Sequence, residues 1–213
     1  MKQVNILAGG PPEFYPDQLF KLKGEWIGVD RGNLRLLGAD ITPQLAVGDF
    51  DSMTATELNQ LKKKVSRVLQ VNPIKDETDT ELALKQANTL LHADKIDLYG
   101  MTGGRLDHFL SNLLMFLKPD FKEVAPKVRL IDRQNIILFL LPGVHHLVNI
   151  GDYKYLSFVS LGNVTELTLP DEKYRLHKQT DLYPTAYVSN EFLNSTATVS
   201  FVSGMVAVIY SRD

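Results

Sequence analysis

Cysteine is absent from this 213-residue chain. That excludes disulfides, thiolate metal sites and cysteine nucleophiles, and agrees with a reducing cytoplasm as its location. Net charge is nearly absent as well: at −2 overall the chain has no electrostatic footprint for nucleic acid or an anionic membrane, and neither is expected as a partner. No apolar run approaches the ~20 residues that cross a bilayer. The longest strongly apolar stretch, Ile136 to Leu141, reads as a buried strand. The stretch from Met1 to Ala8 is too short, and too soon broken by Gly9-Gly10, to read as an export signal. What remains, 44% apolar and 23% charged residues, is the composition of a folded protein of one or two domains with a substantial core.

The first ~120 residues alternate short apolar runs with helical patterns, the signature of a parallel sheet with crossover helices. Strands are expected at Val4 to Ala8, Trp26 to Val29, Leu45 to Val47, Val65 to Val71 and Ile96 to Tyr99. Thr78 followed by Glu81 has capping-box spacing, and Leu82, Ala83, Ala87, Leu90 and Leu91 then keep a helical period. A second helix is expected on the apolar stripe Leu106, Phe109, Leu110, Leu113, Leu114 and Leu117, with Asp107 off the stripe in its first turn. Beyond about Lys127 only strand-like runs follow, with Ser203-Gly204 as a hairpin turn. The expected fold is therefore α/β plus β: a doubly wound, mainly parallel sheet with helices over residues 1–124, then a mainly antiparallel, sandwich-like β domain over residues 125–213.

Four acidic clusters stand out: Asp30, then Gly48-Asp49-Phe50-Asp51-Ser52, then Lys75-Asp76-Glu77-Thr78-Asp79-Thr80, then Gly103-Gly104-Arg105-Leu106-Asp107-His108. In open parallel sheets ligands bind beyond the carboxyl ends of the strands, and these clusters fall at or just past such ends. Carboxylates gathered on one rim repel one another, so a cation belongs there. Oxygen-only ligation favours Mg²⁺, which completes its shell with water and substrate phosphates and so points to a nucleoside triphosphate. Gly103-Gly104 before a helix offers backbone N–H groups at a positive helix end, while Arg105 and Lys75 supply cations. Each cluster also has a plain reading: aspartates cap helices, paired glycines make turns, and Asp30 or His108 could be an ordinary surface residue.

Gly48 to Ser52, Lys75 to Thr80 and Gly103 to His108, in this order and spacing, resemble the three signature motifs of the thiamine pyrophosphokinases. Val188-Ser189-Asn190-Glu191-Phe192 is similar to that family's Ser-Asn-Glu segment. The resemblance implies Mg²⁺-dependent transfer of the terminal diphosphate of ATP to thiamine, giving thiamine diphosphate and AMP, by a cytoplasmic homodimer with sites between subunits. On the motif match, Asp49, Asp51, Asp79 and Asp107 would be the catalytic and metal-holding acids, and Ser189 and Asn190 would contact thiamine. Asp30, Ser52, Lys75, Asp76, Thr78, Thr80, Gly103, Gly104, Arg105 and His108 would surround the nucleotide. Many relatives have Asp-Gly-Gly-Ala where this chain has Asp30-Arg31-Gly32-Asn33. Two alternatives are another Mg²⁺-dependent nucleotidyl or phosphoryl transferase acting on a small alcohol, and a non-catalytic nucleotide or vitamin-binding protein.

Overall fold

The structure is a computed structural model that describes residues 1–72 and 77–213. Two compact units divide the chain: Met1–Met115 with Leu130–Arg133, and Phe116–Arg129 with Gln134–Asp213.

In the first unit, β1 (Gln3–Leu7), β2 (Glu25–Val29), β3 (Leu45–Gly48), β4 (Val68–Gln70) and β5 (Lys95–Tyr99) form a parallel sheet in the order β5-β1-β2-β3-β4. Apart from their first residues, β1, β2 and β5 are buried at every position, as expected of parallel strands covered on both faces. The crossover helices are α1 (Arg31–Gly38), α2 (Ala55–Lys64) and α3 (Asp79–Thr89), and α4 (Leu106–Leu114) follows β5. Capping boxes start α2 at Thr54 with Glu57, and α3 at Thr78 with Glu81; each satisfies two backbone donors that a helix start otherwise orphans.

Two helices depart from sequence rules. α1 was not legible because Asp30-Arg31-Gly32-Asn33 opens on glycine and asparagine, which sequence rules assign to a turn. On α4 the apolar stripe, which an amphipathic helix usually buries, is turned outward: Leu106 is 76% exposed, Leu110 50% and Leu114 45%. The buried side instead carries Asn112, whose Nδ2 donates to the Met101 carbonyl at 3.5 Å.

The second unit opens with α5 (Pro119–Lys122); β6 (Val128–Ile131) contributes residues to both units. One antiparallel sheet holds β7 (Asn135–Leu140), β9 (Tyr155–Ser160), β12 (Thr185–Asn190) and β14 (Val206–Ser211), in the order β12-β9-β14-β7. A second holds β8 (Gly143–Val148), β10 (Val164–Leu169), β11 (Leu176–Asp181) and β13 (Thr196–Phe201), in the order β11-β10-β13-β8. β8 and β11 were not expected. Four of the six residues in each are exposed; β11 has one apolar residue, and the three of β8, Val144, Leu147 and Val148, do not alternate, so period-two patterning had nothing to register.

Glu172 gives this unit a pH dependence. The residue is fully buried and bridges to Phe192; one carboxylate oxygen accepts from the Asp171 N–H at 3.1 Å, and the other has no hydrogen-bond partner among the described residues. Burial above all, with the neighbouring Asp171 adding to it, pushes its pKa from the usual 4.5 to about 7. The folded chain therefore holds this proton more tightly than the unfolded chain. That stabilisation is fully present at acidic pH and is lost as pH rises from about 4.5 through about 7. At ~1.4 kcal/mol per unit the loss amounts to roughly 3–4 kcal/mol. Urea unfolding at pH 5 and pH 8 checks this: Glu172→Gln is expected to remove most of the wild-type decline.

Candidate active site

β2 and β3 end side by side, and the Asp30 N–H donates to the Val47 carbonyl at 3.0 Å, which brings Asp30 up to the Gly48-Asp49 turn. A Cβ on Gly48 would overlap an Asp30 carboxylate oxygen, so only glycine lets that carboxylate lie there. Asp30 itself has φ 46, and Phe50 has φ 60. Non-glycine residues pay about 1–3 kcal/mol for such backbone, and it persists only where the surroundings enforce it. At Phe50 the enforcement is visible. Its ring is 3% exposed and packs with Ala46, Leu61 and Val65, so the chain turns over a buried anchor with Asp49 half-buried on one side and Asp51 exposed on the other.

Asp79, the first residue of α3, completes a cluster. α3 packs over β1, β2 and β3, and its start meets the ends of β2 and β3. Asp30, Asp49 and Asp79 each offer a carboxylate oxygen within 4.8 Å of the other two. At that spacing each ionised pair repels by about 3–4 kcal/mol at an effective dielectric near 20. The donor set is all oxygen and anionic, which fits a hard divalent cation such as Mg²⁺.

Asp30 also lines a cavity of about 400 Å³. Its walls come from the Gly9-Gly10-Pro11 turn after β1, from Arg31, Ser52 and Thr80, and from Gly100, Gly104, Arg105 and His108. The glycine turn is held rigidly. Tyr15 Oη donates to the carbonyls of Ala8 and Gly10 at 3.3 and 3.0 Å, and Arg35, stacked on the Tyr15 ring, also donates to the Gly10 carbonyl. Thr102, also on the wall, donates to the buried Asp132 at 2.7 Å.

Of the residues singled out from the sequence, Asp30, Asp49 and Asp79 form the carboxylate cluster, while Ser52, Thr80, Gly104, Arg105 and His108 lie on the cavity wall with Asp30. Others are placed differently. Asp51 is outside the cluster, and its N–H donates to Asp49 Oδ1 at 3.1 Å, closing the turn. Asp107 is outside it too: Arg105 grips its carboxylate through two hydrogen bonds, at 2.6 and 3.2 Å, and these hold its pKa below the usual range. Thr78 serves as the α3 cap. Gly103, at φ 79, has the Phe14 ring where a side chain would project, so its lack of one is a packing requirement. Lys75 and Asp76 lie outside the described residues.

Ser189 and Asn190 sit at the end of β12 in the second unit. Ser189 is exposed and left-handed, at φ 58. Asn190 is 2% exposed, and its amide makes three hydrogen bonds to backbone: Oδ1 accepts from the N–H groups of Tyr174 and Glu191 at 2.8 and 3.0 Å, and Nδ2 donates to the Tyr174 carbonyl at 2.8 Å.

Sequence reasoning missed the glycine turn after β1, Arg31 and Arg35. The signal for the first was Gly9-Gly10-Pro11-Pro12 directly after a strand, which reads as a strand stop but equally makes a backbone-lined cradle at a sheet's carboxyl edge.

A parallel sheet with carboxylates, glycine turns and arginines gathered at the carboxyl ends of its strands defines an α/β protein with its candidate site at that edge. Residues 16–128 match the model of the thiamin pyrophosphokinase catalytic domain, and residues 144–206 that of the thiamin pyrophosphokinase vitamin B1 binding domain. The chain is 39% identical to the thiamine pyrophosphokinase of Bacillus subtilis (strain 168), across the whole of both chains. Among solved structures it is similar to a Lactobacillus plantarum protein, at 46% identity and TM-score 0.94, and to an Enterococcus faecalis thiamin pyrophosphokinase family protein, at 41% identity and TM-score 0.94. Each likeness covers 100% of both chains. The chain belongs to the thiamin pyrophosphokinase family and is an enzyme with that family's activity. Among the described residues no helix is long and apolar enough to cross a membrane.

Proposed function

We propose that this chain transfers the terminal diphosphate of ATP to the hydroxyl of thiamine, with Asp30, Asp49 and Asp79 holding Mg²⁺ at the edge of the ATP cavity. One observation carries the reading: the three carboxylates converge within 4.8 Å, and one of them belongs to the cavity wall. A divalent cation bound there neutralises phosphate charge that the carboxylates alone would repel. The reaction forms one bond, from the thiamine oxygen to the β-phosphorus, and breaks the bond from that phosphorus to the oxygen left on AMP; the hydroxyl proton is released.

The chain's own residues position the reactants. Gly104, Arg105 and the start of α4 present N–H donors and positive charge to the phosphates, and Asp107 keeps the Arg105 fork oriented. Ser52, Thr80 and His108 complete the wall, while Lys75 and Asp76 join by motif. In the second unit the exposed Ser189 contacts thiamine, and Asn190 holds the segment that presents it. The enzyme works as a homodimer in the cytoplasm. The exposed Leu106, Leu110 and Leu114 of α4 support a second copy, because an apolar row on a helix surface is stabilised by cover.

Thiamine, ATP and Mg²⁺ supplied together are expected to yield AMP and thiamine diphosphate in equal amounts. EDTA abolishes the yield and added Mg²⁺ restores it. ADP as the nucleotide product would overturn diphosphate transfer.

A further inference from the structure

We propose that Arg31 binds the ATP phosphates, and that its anchor on Ser52 couples the nucleotide to the loop that carries Asp49. This rests on the reading of the cavity as the ATP site. Arg31 is the first residue of α1, directly after Asp30, and its side chain lines the same cavity. Its Nη1 donates to the Ser52 carbonyl at 3.1 Å, so one guanidinium bridges the loop after β2 to the loop after β3.

That acceptor is neutral. The two arginines on the cavity wall therefore differ: Arg105 is oriented by the Asp107 carboxylate through two hydrogen bonds, whereas Arg31 meets a backbone carbonyl. Glu57, the carboxylate whose ionisation Arg31 favours, has its oxygen committed to the Thr54 cap of α2. A guanidinium carries five N–H donors in a planar fork that matches phosphate oxygens two at a time, and one donor on Ser52 leaves the rest of the fork for an anion. An anion on Arg31 also lies next to Asp30, which places phosphate beside the carboxylate cluster. The same side chain then holds the turn of Asp49 in register with its ligand, a connection that a small residue at this position lacks.

Arg31→Gln and Arg31→Lys in the full-length chain test this by calorimetric titration of ATP with Mg²⁺, by steady-state kinetics in ATP and in thiamine, and by thermal melting. Arg31→Gln is expected to weaken ATP binding and raise its KM by about tenfold or more, the usual scale for a charge-assisted contact. The KM for thiamine should stay within about twofold and the melting temperature should not move, as for a surface substitution. Arg31→Lys is expected to recover part of the ATP affinity, since it keeps the cation without the fork. ATP affinity of Arg31→Gln equal to wild type overturns the proposal, and so does an equal loss of ATP and thiamine affinity, the mark of a purely structural role. A wild-type chain that binds no ATP overturns the cavity reading itself, and this inference with it.

Discussion

Asp49→Asn and Asp79→Asn are each expected to lower diphosphate transfer by at least about 10²-fold, because on the proposed function each removes a metal ligand whose charge is worth several kcal/mol to the transition state. Asparagine keeps the shape of aspartate, so the fold is retained. A second readout separates this from simple damage. The three carboxylate oxygens lie within 4.8 Å of one another, and without a cation they repel. Either substitution is therefore expected to hold or raise the melting temperature of metal-free protein, and to abolish the upward shift expected of the wild type with Mg²⁺. Asp51→Asn supplies the contrast. Its exposed carboxylate lies outside the cluster and its contact to Asp49 is made through the backbone N–H, so the loss is expected to be below about tenfold. If Asp51→Asn were as damaging as Asp49→Asn, and Mg²⁺ still stabilised the Asp49 variant, the ligand set would be wrong.

The other large effect falls on stability. Asn190→Ala strands three backbone groups, the N–H and carbonyl of Tyr174 and the N–H of Glu191, at a position only 2% exposed. Leaving buried donors and acceptors unmatched costs about 1–3 kcal/mol apiece, partly recovered where water enters, so a net loss of roughly 3 kcal/mol is expected. For a chain of this size that lowers the melting temperature by about 6–12 °C. Asn190→Asp keeps both acceptor contacts and turns a carboxylate towards the Tyr174 carbonyl, which places it between wild type and alanine. Calorimetry together with the KM for thiamine decides the matter. A stable Asn190→Ala with only a raised thiamine KM would make Asn190 a direct substrate contact and not a brace.

These two outcomes mark how far the chain could be read unaided. The rim was legible because Asp30 and Asp49 follow apolar runs, and the ends of adjacent parallel strands share an edge. The α3 start was legible through its Thr78–Glu81 capping box, which places Asp79 at a helix amino terminus. Which acids meet was not. Asp49 and Asp51 have the same chemistry and nearly the same position, and the left-handed turn at Phe50 separates them, held by a ring buried among residues of β3 and α2. Asp107 likewise looks like a ligand until Arg105 is seen to claim it. In the β domain, the apolar alternation of β7, β9 and β14 could be read, whereas β8 and β11 pair through backbone groups that leave no trace in polar side chains.

Local chemistry written along the chain thus settles the alternation of strands and helices, the helix starts, the oxygen-rich ligand types and the family. Choosing three carboxylates from many, giving Arg31 its place at the cavity and turning Asn190 inward all depend on contacts between segments far apart in the chain. Those choices follow from packing: a buried ring, a missing Cβ and a satisfied backbone each exclude the alternatives sterically or by desolvation, and neither cost exists until the segments meet.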